Sequence, residues 1–370
     1  MYPYSILALF LLVLGGCGDE GKGEEGLVRE DLGKVTTDAD GGVTLPVDVP
    51  EDAVSALITC GPYGYDVLAT ADLLVDPGGA TIFDDDDPEA TAMRVNVEDD
   101  FLPMLMPVSP DLDVQAGEHQ LTLYVDSDSP VTVSCGAVYR VQPVEEETTV
   151  DARLVFVGVD GTVDTLNAQY AKTEAVLTAA LAEIESVWAR AGITLGEVLY
   201  DDFSGDTDSY TVIDDDKEFG DLLRTVETPG DRRVTFFFVQ DITADDGATI
   251  LGLSAGPPGA AAMGGTSKSG VVVTTAAWDE ADPGGFLGRL MAHEGGHFLG
   301  LYHPTEKDGS GHDPLGDTPE CSDGDGDGQV STSECGSNGA DNLMWWAASD
   351  GASDMSADQG WVMKRSAAAH

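Results

Sequence analysis

The stretch from Met291 to His303, MAHEGGHFLGLYH, constrains this 370-residue chain more than any other. Two histidines stand four residues apart, a glutamate follows the first, and Gly300 and His303 follow the second at steps of three. An α-helix brings positions i and i+4 onto one face, so His293 and His297 can share one metal ion. The segment must therefore be helical through His297. Gly300 must then end the helix by taking a backbone conformation that other residues resist, and that bend returns His303 to the same ion. Three neutral imidazoles on a divalent cation leave two positive charges and one open position, a donor set that suits zinc. Glu294 sits beside the first ligand, within reach of a water in the open position, as a general base must. Chance placement is a poor rival, because half of the six histidines fall within these eleven residues.

Downstream, Asp341 to Trp346 (DNLMWW) resembles the Met-turn of metzincins, with Met344 beneath the metal ligands. HEGGHFLGLYH, then Asp313 to Pro319 (DPLGDTP), then the NLM turn together resemble the pappalysins, including their prokaryotic members. Those motifs lie within Leu290 to Trp346; the rest of residues 151–370 matches in element order only. The resemblance implies an α+β zincin-like (metzincin) catalytic domain that binds zinc through His293, His297 and His303. It also implies Glu294 as catalytic base, protein or peptide substrates cut by endopeptidase action, and calcium supporting the fold. There are two departures. Pappalysin Met-turns commonly carry a tyrosine two residues past the methionine, where this chain has Trp346, which offers an N–H but no phenolic oxygen. Pro304 also replaces the usual threonine after the third histidine.

Between His303 and the Met-turn runs CSDGDGDGQVSTSEC, residues 321–335. Asp323, Asp325, Asp327, Gly328 and Glu334 fall at positions 1, 3, 5, 6 and 12 of an EF-hand-type loop. Gln329 would add its backbone carbonyl, and Ser331 would act directly or through water. Oxygen-only donors closed by a carboxylate favour calcium. No helix is evident on either side; Cys321 and Cys335 bracket the loop instead. The expected role is structural, a rigid segment leading into the Met-turn. Asp313 and Asp317 suit a second cation or, more simply, turn capping.

Composition bears on compartment and partners. With 68 acidic against 17 basic residues the formal net charge is -51, which repels phosphate backbones and argues against nucleic-acid binding. Ser5 to Leu14 is an apolar run of signal-peptide length, too short to span a bilayer as a mature helix. It leads through Gly15 and Gly16 to Cys17, which resembles a bacterial lipobox with Cys17 as the lipidation site, although Met1 to Tyr4 carries no basic residue. An ordinary signal peptide is the alternative. Either way the chain is expected outside the cytoplasm, in the cell envelope or secreted, with membrane contact only through a lipid anchor. The remaining cysteines allow three pairings, of which Cys60–Cys135 and Cys321–Cys335 are the economical choice in an exported chain.

Five segments follow from the patterning: a signal peptide at 1–17, an acidic Gly-rich tether at 18–42, a small all-β sandwich at 43–141, a linker at 142–150 and the catalytic domain at 151–370. The sandwich rests on alternating runs at Leu45–Val49, Leu121–Val125 and Val131–Ala137. In the second domain, Leu154–Val159, Val234–Val239 and Val271–Thr275 are buried-strand runs. Tyr170, Leu177, Leu181, Ile184 and Trp188 follow helical spacing and stop at Gly192. Ile250–Ala255 is the candidate strand against which an extended substrate would lie. His119, His312 and His370 are expected at the surface. The rival to a peptidase is a calcium-stabilised surface binding lipoprotein with a weak or inactive zinc site; hydrolysis of a non-peptide amide is a third reading.

Overall fold

The computed structural model describes residues 25–62, 67–87, 91, 93–95, 98–163, 166–226, 229–244, 247–347 and 351–370. The signal segment and Cys17 lie outside them. Nine strands come first: β1 (Leu27–Thr36), β2 (Gly42–Val49), β3 (Ser55–Pro62), β4 (Ala69–Val75), β5 (Thr81–Asp84), β6 (Glu98–Asp99), β7 (Leu102–Met106), β8 (Gly117–Val125) and β9 (Thr132–Arg140). They form two antiparallel sheets, ordered β1-β9-β3-β7 and β2-β8-β4-β5, with β6 on β4. The alternating residues point inward as their period demands: Leu45, Val47 and Val49 on β2, Leu121, Leu123 and Val125 on β8, and Val133 and Ala137 on β9 are all buried. Cys60 and Cys135 face each other across β3 and β9 and are joined.

Two boundaries differ from the sequence expectation. Residues 27–36 were assigned to the tether, yet they form β1, paired with β9 from Leu27 to Thr36. The strand lies at a sheet edge and is half-exposed, so its charged residues tolerate water and the apolar alternation that marks a strand is blurred. The linker is also shorter than 142–150, because the next strand already begins at Thr148.

That strand is β10 (Thr148–Phe156). There follow α1 (Ala175–Trp188), β11 (Ile193–Asp202), β12 (Val212–Ile213), α2 (Asp216–Leu223), β13 (Val234–Val239), β14 (Asp241–Ile242), β15 (Gly252–Ser254), β16 (Val271–Thr274) and α3 (Pro283–Phe298). The short helices α4 (Thr332–Cys335), α5 (Ser337–Ala340) and α6 (Ala357–Met363) complete the domain. Its main sheet is ordered β11-β10-β13-β16-β15, parallel except for β15, which runs antiparallel along the edge of β16. The VTFFFV run of β13 is buried at every position because it lies inside the sheet with both faces covered. The chain is thus α+β throughout its second half.

Helix α1 starts only at Ala175, where the Glu174 side chain accepts from the Leu177 N–H. Tyr170 precedes it and is exposed, so the helical spacing read through that residue was coincidental. Gly192 then closes the turn after the helix at φ 69°. Helices α1 and α3 approach closely: a Cβ on Gly288 would stand 2.5 Å from Glu183 Cβ and 2.6 Å from the Ala180 carbonyl oxygen. Gly284, Gly288 and Gly295 of α3 are therefore set by contact with α1.

Candidate metal centre

Helix α3 carries the first two histidines. Asp282 caps its start by accepting from the Gly285 N–H, and Pro283 occupies the first turn, where no N–H is needed. At its end Gly300 adopts φ 108°, with its N–H donating to His297 O and that of Leu301 to Gly296 O. The turn delivers His303 to the other two histidines. Candidate ligand atoms of His293, His297 and His303 all lie within 4.8 Å of one another. Ring centroids are 4.7 Å apart for His293–His297 and His297–His303, and 5.5 Å for His293–His303.

The hydrogen bonds fix the tautomers. His293 Nδ1 lies 2.7 Å from Leu343 O, His297 Nδ1 2.7 Å from Leu301 O, and His303 Nδ1 2.7 Å from Glu306 Oε2. Carbonyl and carboxylate oxygens only accept, so each Nδ1 carries a proton and Nε2 is the atom that each ring can offer to a metal. His297 Nε2 and His303 Nε2 face each other at 3.1 Å. Burial, reinforced by the neighbouring rings, pushes His293 down to about 4 and holds His297 well below its ordinary value, so both rings are neutral at neutral pH. The donor set fits a divalent metal of the zinc type: neutral imidazoles, each oriented by an acceptor behind it.

Glu294 is buried between α3 and β15 and accepts from the Ser254 N–H. Burial pushes its carboxyl up to about 8, a value that a nearby cation would draw down again. Gly252 leaves it room: a Cβ there would sit 3.0 Å from Glu294 Cγ. Met344 is fully buried beneath α3, and a Cβ on Gly296 would approach its Sδ to 2.7 Å. Asn342 holds that turn, accepting from the Met344 N–H at 2.8 Å while it pairs with buried Gln359. The same turn supplies the Leu343 carbonyl to His293.

A cleft of about 340 Å³ opens over the histidines. Its walls include β15, Pro257, Tyr302, Glu306, Trp346 and, from the sandwich, Arg94. The segment read from sequence as the substrate rim is thus an edge strand on the cleft. Glu306 and Arg94 were not anticipated. Glu306 had a signal in the sequence, a carboxylate three residues past the third histidine, whereas nothing in sequence links Arg94 to a site some 200 residues away. A larger cavity of about 720 Å³ lies between the sandwich and residues 263–267 and contains no histidine among its described lining residues.

Trp346 lines the cleft, but its Nε1–H donates to Val330 O at 2.9 Å, so it is not free to serve a reacting group. Val330 belongs to the acidic loop. There Asp323, Asp325 and Asp327 bring carboxylate oxygens together, also within 4.8 Å. Glu334 is not part of that cluster. The carboxylate of Glu334 accepts from the N–H groups of Gly324, Asp325 and Ser331, which hold it down to about 2. It closes a capping box on α4, so a one-turn helix follows the loop where none was expected. Cys321 and Cys335 are joined across its ends. Asp313 accepts from the Leu315 N–H and the Thr318 hydroxyl, a capped turn. His119 is buried on β8 instead of lying at the surface; His312 is half-buried against Thr305 and His370 is exposed.

No family model matches the chain, and no curated protein matches its sequence. Among solved structures it is similar to metalloproteinase-II from Bacteroides fragilis, at 17% identity and TM-score 0.34, over 60% of this chain and 54% of that one. The chain thus spans about half the length of that protein. It is also similar to the capsid asymmetric unit of cyanophage Pam1, at 15% identity and TM-score 0.20, over 38% of this chain and 100% of that one. A family two carbohydrate esterase from Cellvibrio japonicus follows at 8% identity and TM-score 0.16, over 60% of this chain and 78% of that one.

Proposed function

We propose that this chain is an extracytoplasmic zinc-dependent endopeptidase, a metzincin of pappalysin type with a zincin-like catalytic domain. One observation carries the reading: three imidazoles turn Nε2 atoms to a common point while an acceptor holds each Nδ1, with a buried carboxylate alongside. When bound there, zinc would lower the pKa of a water to about 7 and polarise a substrate carbonyl. Glu294 then takes the proton of the attacking water and returns it to the leaving amine. Burial raises its carboxyl while the Ser254 N–H and a bound cation would lower it, opposing effects that suit a group which must both take and return a proton. The edge of β15 offers an extended peptide a strand to pair with beside the histidines.

The three aspartates of the acidic loop, with the Gln329 carbonyl, Ser331 and Glu334 as further donors, are proposed as a structural calcium site. Glu334 would have to exchange backbone donors for the ion. Cys17 is proposed as the lipid anchor; among the described residues no helix is long and apolar enough to cross a membrane.

Zinc-loaded protein is expected to cleave casein in a chelator-sensitive way. Glu294→Gln should retain zinc and lose about 10²- to 10⁴-fold in turnover, the usual contribution of a general base. Retention of full activity by that variant would remove Glu294 from its role. The engagement of the Trp346 N–H by Val330 favours the second reading, a calcium-stabilised binding lipoprotein whose zinc site does not turn over. Persistent inactivity of zinc-loaded, calcium-replete protein against a peptide library would select it.

A further inference from the structure

The sandwich domain reaches the metal centre at two points. Arg94, in the segment between β5 and β6, donates through Nη2 to Glu306 Oε1 at 2.8 Å and through Nη1 to His312 O at 2.6 Å. Its guanidinium lies over the Tyr302 ring at 4.6 Å, and the Tyr302 hydroxyl donates back to Arg94 O at 2.9 Å. The other oxygen of Glu306 accepts from His303 Nδ1. Leu105 of β7 packs on the turn before His303: a Cβ on Gly300 would come within 2.6 Å of Leu105 Cδ2. Histidine ligands on helices are held by their helix, but His303 stands on a loop and depends on what lies behind it.

We infer that the sandwich is a structural part of the metal centre: Arg94 fixes Glu306, and Glu306 fixes the ring of the third ligand. The inference rests on the zinc reading above. An exposed ion pair would contribute little, because two long side chains must be ordered for a screened attraction. Here both partners are about two-thirds covered, and the guanidinium is also held by a carbonyl and an aromatic face, so the ordering cost is already met by the surroundings. A carboxylate fixed in this way orients the imidazole and raises its basicity toward the ion. The N-terminal domain then strengthens metal binding and is not a mere spacer.

The test is zinc affinity of the full chain, by competition with a chromophoric chelator, with the thermal midpoint of each zinc-free variant as the control for folding. Arg94→Ala should weaken zinc about tenfold, the lower end of what a lost outer partner of a ligand costs. Arg94→Lys, which keeps the charge and loses the fork, should fall between it and the unaltered protein. Arg94→Ala combined with Glu306→Ala should be no weaker than Glu306→Ala alone. Ser55→Ala removes a tie between the same two domains, Ser55 Oγ to Arg365 O at 2.5 Å, and should leave affinity unchanged. Unaltered affinity in Arg94→Ala, an additive loss in the double variant, or an equal loss in Ser55→Ala would overturn the inference while the zinc reading stood. Failure of the unaltered protein to bind zinc would overturn both.

Discussion

His119 illustrates how far a single position can be read. It was expected at the surface, yet it is only 1% exposed, with Nδ1–H donating to Gly117 O at 3.1 Å. The signal was present in the alternation of β8, since His119 shares parity with Leu121, Leu123 and Val125. Burial lowers its pKa, partly offset by the Gly117 carbonyl and Asp76. The unfolded chain therefore takes up this proton first as pH falls. The stability it contributes is present above about pH 6.5 and is lost progressively below that value. Thermal midpoints measured from pH 7 to pH 5 should fall less steeply in His119→Gln than in the unaltered protein; identical slopes would count against a buried neutral ring. The meeting of His293 and His297 was legible because helical spacing alone brings them together. Glu306 and Arg94 were not, because what ties them to His303 is tertiary packing.

At the scale of elements, α3 was legible from its histidines, but its glycines were not explained by sequence. Ordinarily Gly→Ala within a helix stabilises by up to about 1 kcal/mol. At Gly288 the new methyl would meet Glu183 Cβ and the Ala180 carbonyl, so Gly288→Ala should instead destabilise by about 1–3 kcal/mol, as overpacking does. Urea unfolding of the variant decides the sign. The Gly- and Pro-rich run before β16 has the same explanation: Gly256 and Gly259 lie against the His297 carbonyl and the Phe298 ring, where no side chain fits. The acidic loop is tied to the cleft through Val330, which packs with Ala340 and Trp345 and receives the Trp346 N–H. Calcium at about a hundred times its dissociation constant should add about 2.7 kcal/mol of stability and alter tryptophan emission. Emission and midpoint indifferent to calcium, and unchanged in Asp325→Asn, would show that the loop holds no structural ion. Strand β1 escaped the sequence because charged residues on a half-exposed edge leave no apolar period to detect.

For the molecule as a whole, the change of period after residue 150 accompanies a change from antiparallel sheets to a mostly parallel one. The extent of the contact between the halves was not legible in the sequence. One hydrophobic core runs from Leu45 and Leu105 in the sandwich to Leu299, Leu301 and Val362 beyond the linker. Polar ties join Arg140 to Lys364 O, Arg29 to Ala262 O and Arg224 to Asp100. Such contacts are set by shape between surfaces far apart in sequence, for which a single chain carries no periodic signature. They place the three-histidine cluster at a junction supported from both sides. The account stands on one claim, that His293, His297 and His303 bind one zinc ion. X-ray absorption at the zinc edge of desalted, zinc-loaded protein tests it most directly. One zinc per chain with three imidazole nitrogens at about 2.0–2.1 Å and a fourth nitrogen or oxygen donor is the expected result. Loss of the metal on desalting, or a coordination sphere without histidine scattering, would contradict it.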